Sequence, residues 1–132
     1  MDKQNDVAAL IGRILLAYVF IPSGFETLTG FAGTVGYVKG VSVPMPEVAA
    51  AVKIAIELGA GFMVLFGFKT RWAALAMIVY LIVITPLFHA YWSAPEAMRM
   101  AQELNFTKNV GILGGFLLLL AFGPGRLSVD RA

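Results

Sequence analysis

Residues 72–88 read WAALAMIVYLIVITPLF, seventeen positions without an acidic or basic side chain. A helix on the surface of a soluble domain carries an apolar stripe and an opposing polar face. This stretch has no polar face at any helical phase, and residues 110–122 (VGILGGFLLLLAF) have none either. Both would have to be wrapped completely by protein or bathed in lipid.

Working outward from 72–88, the composition agrees with lipid. Apolar residues make up 59% of the chain and charged residues only 14%, against about 25% charged in an ordinary soluble domain. The charges sit in short islands between long apolar runs, which predicts four spans at residues 7–27, 47–68, 72–92 and 106–122. Each is long enough, or nearly so, for a hydrocarbon core of about 30 Å. The expected fold is therefore all-α, an integral membrane four-helix bundle formed by one domain over 1–132. Between the first two spans, Pro44 and Pro46 rule out a continuous helix and leave room for a short interfacial one. Lys69-Thr70-Arg71 separates the second and third spans, with Thr70 a natural N-cap. Residues 93–105 read as a polar loop, and Gly123-Pro124-Gly125 ends the fourth span. Arg13 interrupts the first apolar run and no small-residue cleavage site follows it, so the first span reads as a retained helix and not a cleaved leader.

Four spans put both termini on one side. That side collects Lys3, Arg13, Lys69, Arg71, Arg126 and Arg131, while the other has Lys39, Arg99 and Lys108 with Glu26, Glu47, Glu96 and Glu103. The excess of cations predicts both termini in the cytoplasm, with the chain a multi-pass protein of a bacterial inner membrane. The net charge of +2 and the absence of any basic run with interleaved aromatics give no sign of nucleic-acid binding. The chain has no cysteine and a single histidine. Thiol redox chemistry, disulfides, cysteine-held clusters and a haem held by two histidines of the chain are thereby excluded. No metal site and no built-in cofactor are expected.

Ionisable groups within the spans are the candidates for chemistry, since each costs roughly 2.5–3.5 kcal/mol on insertion scales. Glu57 falls near mid-membrane, and an antiparallel first span would bring Arg13 to a similar depth. A neutralised Arg13–Glu57 pair is one expectation. Snorkelling of Arg13 to the surface is the other. Lys53 lies one turn from Glu57 on the same helical face. At the outer ends of the spans, Glu26, His89, Trp92, Lys108 and Asn109 predict a polar mouth flanked by aromatic residues, suited to a quinone head group or another small polar ligand. The bland alternative is that His89 merely anchors its helix with Tyr91 and Trp92 in an aromatic belt. The Gly-x-x-x-Gly pair Gly111 and Gly115 reads as helix packing.

Several segments, taken in order, resemble the DoxX family of small bacterial membrane proteins. They are Gly12-Arg13, Ser23-Gly24-Phe25-Glu26, Glu57-Leu58-Gly59, Thr70-Arg71, Phe88-His89 with Trp92, Lys108-Asn109, and Gly123-Pro124-Gly125-Arg126-Leu127-Ser128. The series covers nearly the whole chain. One position departs from it: Thr27 stands where the family often has a lysine. The resemblance implies a four-helix membrane bundle similar to the small subunit of a thiosulfate:quinone oxidoreductase. It also implies membrane partnership with detoxifying or sulfur-handling proteins, though many members have no assigned activity. Three readings of function follow, in this order. The chain is a membrane subunit or scaffold of a redox or stress-response assembly, non-catalytic by itself. Or it is a quinone-handling subunit of an oxidoreductase. Or it is a small proton-coupled transporter using Glu57. The lipid bilayer and either a protein partner or further copies of the chain are the expected contacts.

Overall fold

The computed structural model describes residues 3–131, and within them every regular element is helical. Helix α1 spans Lys3–Thr29, α2 Phe31–Gly40, α3 Pro46–Phe66, α4 Thr70–Phe88 and α5 Glu96–Phe122, with a 3₁₀ turn at Tyr91–Ser93. Four of these, α1, α3, α4 with its following turn, and α5, are long and apolar enough to cross a membrane. The short α2 lies between the first two long helices, where the sequence leaves room for one.

The observed boundaries run wider than the predicted ones at two places. Helix α1 is 27 residues long and begins at Lys3, ahead of the predicted residue 7. The segment expected as a loop, 93–105, is mostly helix: α5 starts at Glu96 and also runs 27 residues. At about 1.5 Å per residue α5 is about 40 Å long, some 10 Å more than the hydrocarbon core. The reason lies in the residue types. Pro95 supplies a stop before the helix, and Glu96-Ala-Met-Arg-Met-Ala-Gln-Glu-Leu104 are all strong helix formers with no glycine or proline among them. The polarity of this segment places it outside the apolar layer without breaking the helix.

Helix α3 is not uniform. Ala55–Ala60 form a π-helical turn between α-helical Pro46–Ile54 and Gly61–Phe66. Its C-terminus closes on Gly67 at φ 68°, with Phe68 N–H donating to Met63 O (2.9 Å) and Gly67 N–H to Val64 O (3.2 Å). This is the Schellman arrangement. Glycine is doubly required at 67, because a Cβ there would also lie 2.3 Å from Ser128 Cβ.

In the bundle α1 packs on α3, the π-turn of α3 on α4, and α4 along α5. The ring is closed by Phe20 of α1 against Phe116 of α5, centroids 5.8 Å apart, and by Leu16 lying over Gly115. Of the Gly-x-x-x-Gly pair, Gly115 therefore does serve a close approach, whereas Gly111 faces open space. The interior is Phe20, Val64, Met77, Leu81 and Phe116, all buried. The exterior is equally apolar: Trp72 and Tyr18 are each 73% exposed and Phe122 70%. Such a surface is stable against lipid and not against water.

Candidate functional site

Three groups of polar side chains interrupt this apolar bundle. The deepest lies on α1, α3 and α4. Lys53 extends from α3 and donates from Nζ to Ser23 Oγ (2.9 Å), Thr27 Oγ1 (2.9 Å) and Glu57 Oε1 (2.7 Å). The other carboxylate oxygen, Glu57 Oε2, accepts from the Tyr80 hydroxyl of α4 at 2.7 Å. All three ammonium protons and both carboxylate oxygens are thus used, which is the condition for tolerating an ion pair in low dielectric. Glu57 is buried, with 5% of its side chain exposed, whereas 29% of the Lys53 side chain is exposed. The local structure builds this site. The π-turn carries Glu57, and such turns occur frequently at functional positions. Gly24 lets α1 come close enough for its hydroxyls to reach Lys53, since a Cβ at 24 would lie 2.7 Å from Leu58 Cγ and 3.2 Å from Glu57 Cβ.

The second group is at the end of the bundle that holds both termini. The Arg13 guanidinium, 1% exposed, donates from Nε to Pro124 O (3.1 Å) and from Nη1 to Val64 O (3.2 Å) and Leu65 O (2.9 Å). Its Nη2 donates to Leu127 O. Arg13 therefore satisfies the last carbonyls of α3 and holds the C-terminal tail over them. It is not paired with Glu57, and it does not reach out to the surface. In place of the expected Arg13–Glu57 pair, Glu57 pairs with Lys53, while the arginine fork is taken up by four carbonyls, those of Val64 and Leu65 at the end of α3 and of Pro124 and Leu127 in the tail. The tail is fixed at two further points. Arg126 N–H donates to Asp6 Oδ1 (3.1 Å). Asp130 accepts from Lys69 N–H, Thr70 N–H and the Thr70 hydroxyl at 2.8, 2.8 and 2.7 Å. Thr70 is thus the first residue of α4 and not its cap; the capping carboxylate comes from Asp130, sixty positions away. Burial works to raise the Asp130 carboxyl, but the hydrogen bonds from Thr70 and Lys69 and the charge of Arg13 outweigh it and hold the group below the usual carboxylate range.

The third group is the predicted outer mouth, which assembles only in part. His89 Nδ1 lies 2.7 Å from Gln102 Oε1 of the α5 extension. Glu26 and Lys108 are exposed, and among the described residues neither forms a hydrogen bond or ion pair with His89. Trp92 joins Tyr91 and Phe106 in a mutual edge-to-face cluster, centroids 5.3–5.7 Å apart. Asn109 is buried and donates from Nδ2 to Thr85 Oγ1 at 3.2 Å. Thr85 and Asn109 lie on a cleft of about 150 Å³ between α4 and α5, walled by Leu81, Pro86, Phe106 and Leu113. Among the described residues no three His, Asp or Glu side chains come together as a metal site would require.

Reasoning from the sequence missed Ser23, Tyr80, Gln102, Asp6 and Asp130 as partners. The i,i+4 spacing of Lys53 and Glu57 was a usable signal for the ion pair. A tyrosine inside an apolar run gives no sign of which way its hydroxyl points.

The DoxX family profile matches residues 8–90, a stretch that contains Arg13 and the whole Lys53–Glu57–Tyr80 cluster. The chain belongs to the DoxX family. Among its relatives, inner membrane protein YqjF of Escherichia coli (strain K12) is 40% identical over 134 residues, covering 99% of this chain and 95% of that protein. Inner membrane protein YphA of the same organism is 39% identical over 125 residues, covering 95% of this chain and 89% of that protein. A Surfeit locus protein 4 homolog of Drosophila melanogaster is 27% identical over 132 residues, which is 98% of this chain but 42% of that protein. No solved structure matches the chain. With four spans and these relatives, the chain is a multi-pass inner-membrane DoxX protein in contact with the bilayer. At Thr27, where the resemblance led one to expect a lysine, an ammonium group is nonetheless present: Lys53 delivers it from α3 to 2.9 Å of the Thr27 hydroxyl.

Proposed function

We propose that this DoxX protein is the membrane subunit or scaffold of a redox or stress-response assembly, inserted with both termini in the cytoplasm and without catalysis of its own. The observation that carries the reading is how its buried polar groups are used. Arg13 ties α1, α3 and the tail together, and Lys53 and Glu57 tie α1, α3 and α4. Among the described residues no buried side-chain nitrogen or oxygen is left without a hydrogen-bond partner. Groups committed in this way stiffen a platform and leave few free to act on a substrate. The excess of cations at the end that holds the tail supports the orientation.

The test is extraction from native membranes in mild detergent, followed by native mass measurement and identification of what travels with the chain. A stoichiometric complex with an oxidoreductase or a detoxifying enzyme is the expected result. A purified chain that by itself reduces or oxidises a quinone would overturn the reading.

The α4–α5 cleft favours a second reading, a quinone-handling subunit. Its walls are apolar and its polar groups are a threonine hydroxyl and an amide, the mixture a quinone ring and its carbonyl would need. In that case quinone copurifies with the chain, and Asn109→Leu loses it while the fold is kept. Of the residues expected at the mouth, Asn109 would contact the head group, with Phe106 beside it. Glu26, His89, Trp92 and Lys108 would line the approach at most.

A further inference from the structure

We propose that Glu57 is a reversible proton-binding site, reached from the outer half of the bundle through Lys53 and closed toward the end that holds the termini. Three independent features place it. The first is a continuous hydrogen-bonded chain, Tyr80 hydroxyl to Glu57 carboxylate to Lys53 ammonium to the Ser23 and Thr27 hydroxyls, with every link between 2.7 and 2.9 Å. The second is where it opens. Ser23 is half-buried and the Lys53 side chain 29% exposed, one turn from Glu57 toward the outer end of α3, whereas Thr27 and Glu57 are buried. The third is what lies on the other side. Phe20, Val64, Met77 and Phe116, none more than 4% exposed, fill the bundle between the cluster and Arg13. The chain of polar groups therefore opens at Lys53, on the half of α3 away from the termini, and has a dead end at Tyr80.

The transfer balances without another reactant. The Lys53 ammonium passes a proton to the Glu57 carboxylate, and the resulting amine, released from the ion pair, turns outward and takes one from water. The net change is one proton bound, with Glu57 neutral and Lys53 charged as before. The groups facing Glu57 are Lys53 from its own helix and Tyr80 from α4, with the hydroxyls of Ser23 and Thr27 from α1 one link further out. The consequence is local. Protonation cancels the ion pair, so Lys53 is no longer held inward and can turn its ammonium toward the outer interface. The π-turn that carries Glu57 is the place where α3 can adjust, since its backbone is already off the regular helical register.

Proton binding at Glu57 needs neither a partner nor a quinone, so its test stands apart from the proposed function. The purified full-length chain is reconstituted in vesicles, with its orientation assigned by labelling a Lys39→Cys variant, and protonated carboxyls are followed by infrared difference spectroscopy. Acidifying the medium on the outer-loop side should produce a protonated-carboxyl band that is absent in Glu57→Gln and shifted in Tyr80→Phe. Acidifying only the compartment facing the termini should not produce it. The Tyr80→Phe variant keeps the ring packed and removes one hydrogen bond, so it assigns the band even if Glu57→Gln fails to fold. Absence of a titrating band, or a band unmoved by Tyr80→Phe, would overturn the site. A band that follows the terminal compartment would overturn its one-sided access.

Discussion

Arg13 is the residue whose role most changes between sequence and structure. Its place in the first span and its exclusion from the surface follow from the apolar run around it. Its partners do not, because backbone carbonyls of a helix end and a distant tail leave no mark in side-chain patterning. Carbonyl partners imply a different mutational signature from a charge pair. Arg13→Ala should destabilise the protein by about 1–3 kcal/mol for each carbonyl left without a donor. Arg13→Lys should recover little, since an ammonium cannot span acceptors on Val64, Leu65, Pro124 and Leu127 at once. In a double-mutant cycle read by thermal unfolding in detergent, Glu57→Ala should add to Arg13→Ala and not relieve it; rescue would restore the discarded pair. Asp130 gives a pH prediction with a definite sign. Its folded-state value lies below the unfolded one, so its stabilisation is complete above the unfolded value, about 3.9, and is lost as pH falls through the lowered folded value. Protection of the Lys69 and Thr70 amides from hydrogen exchange should hold from neutral pH to about 4 and fall only below that. In Asp130→Asn the protection should be weaker at neutrality and without that acid step.

Among the elements, α3 links the two polar clusters, since its middle carries Glu57 and its C-terminus is gripped by Arg13. Its contact with α1 depends on Gly24. Gly24→Ala should force the helices apart by overpacking, at a cost of about 1–3 kcal/mol, and weaken the links from Lys53 to Ser23 and Thr27. Leu58→Ala should restore part of the lost stability, because Leu58 is the side chain that a Cβ at 24 would strike. If the double variant melts no higher than Gly24→Ala alone, close approach at 24 is not what holds the cluster. The existence of all four spans was legible in the sequence, since hydrophobic runs of this length have few alternatives. Their ends were legible only where proline or glycine marks them, as at Pro46 and Gly123. The α5 extension is helix where its polarity predicts a loop, because polarity marks the end of the lipid layer and not the end of a helix. The outer mouth was half legible. Depth along each span could be read from residue counts, but rotation about each helix axis could not. That rotation sends His89 to Gln102 and Asn109 to Thr85 while Glu26 and Lys108 face outward.

For the whole molecule, the clasped tail and the one-sided polar cluster give the bundle two unlike ends. At one, the tail residues Gly123–Arg131 are sewn over α1, α3 and α4 by Arg13, Asp6 and Asp130. At the other, α2 packs on α1 and α3 with Tyr37 stacked on Phe88, and the aromatic turn packs on α5 through Phe106. The scaffold reading depends on which of these ends faces the cytoplasm, and orientation can be measured directly. The chain contains no cysteine, so single cysteines report without background. Lys3→Cys and Arg71→Cys mark the clasped end, and Lys39→Cys and Glu96→Cys the open one, all at exposed positions. In intact cells treated with a membrane-impermeant thiol reagent, the cysteines at 39 and 96 should label, and those at 3 and 71 should label only after the membrane is permeabilised. Labelling at 3 or 71 in intact cells, with 39 and 96 protected, would contradict it.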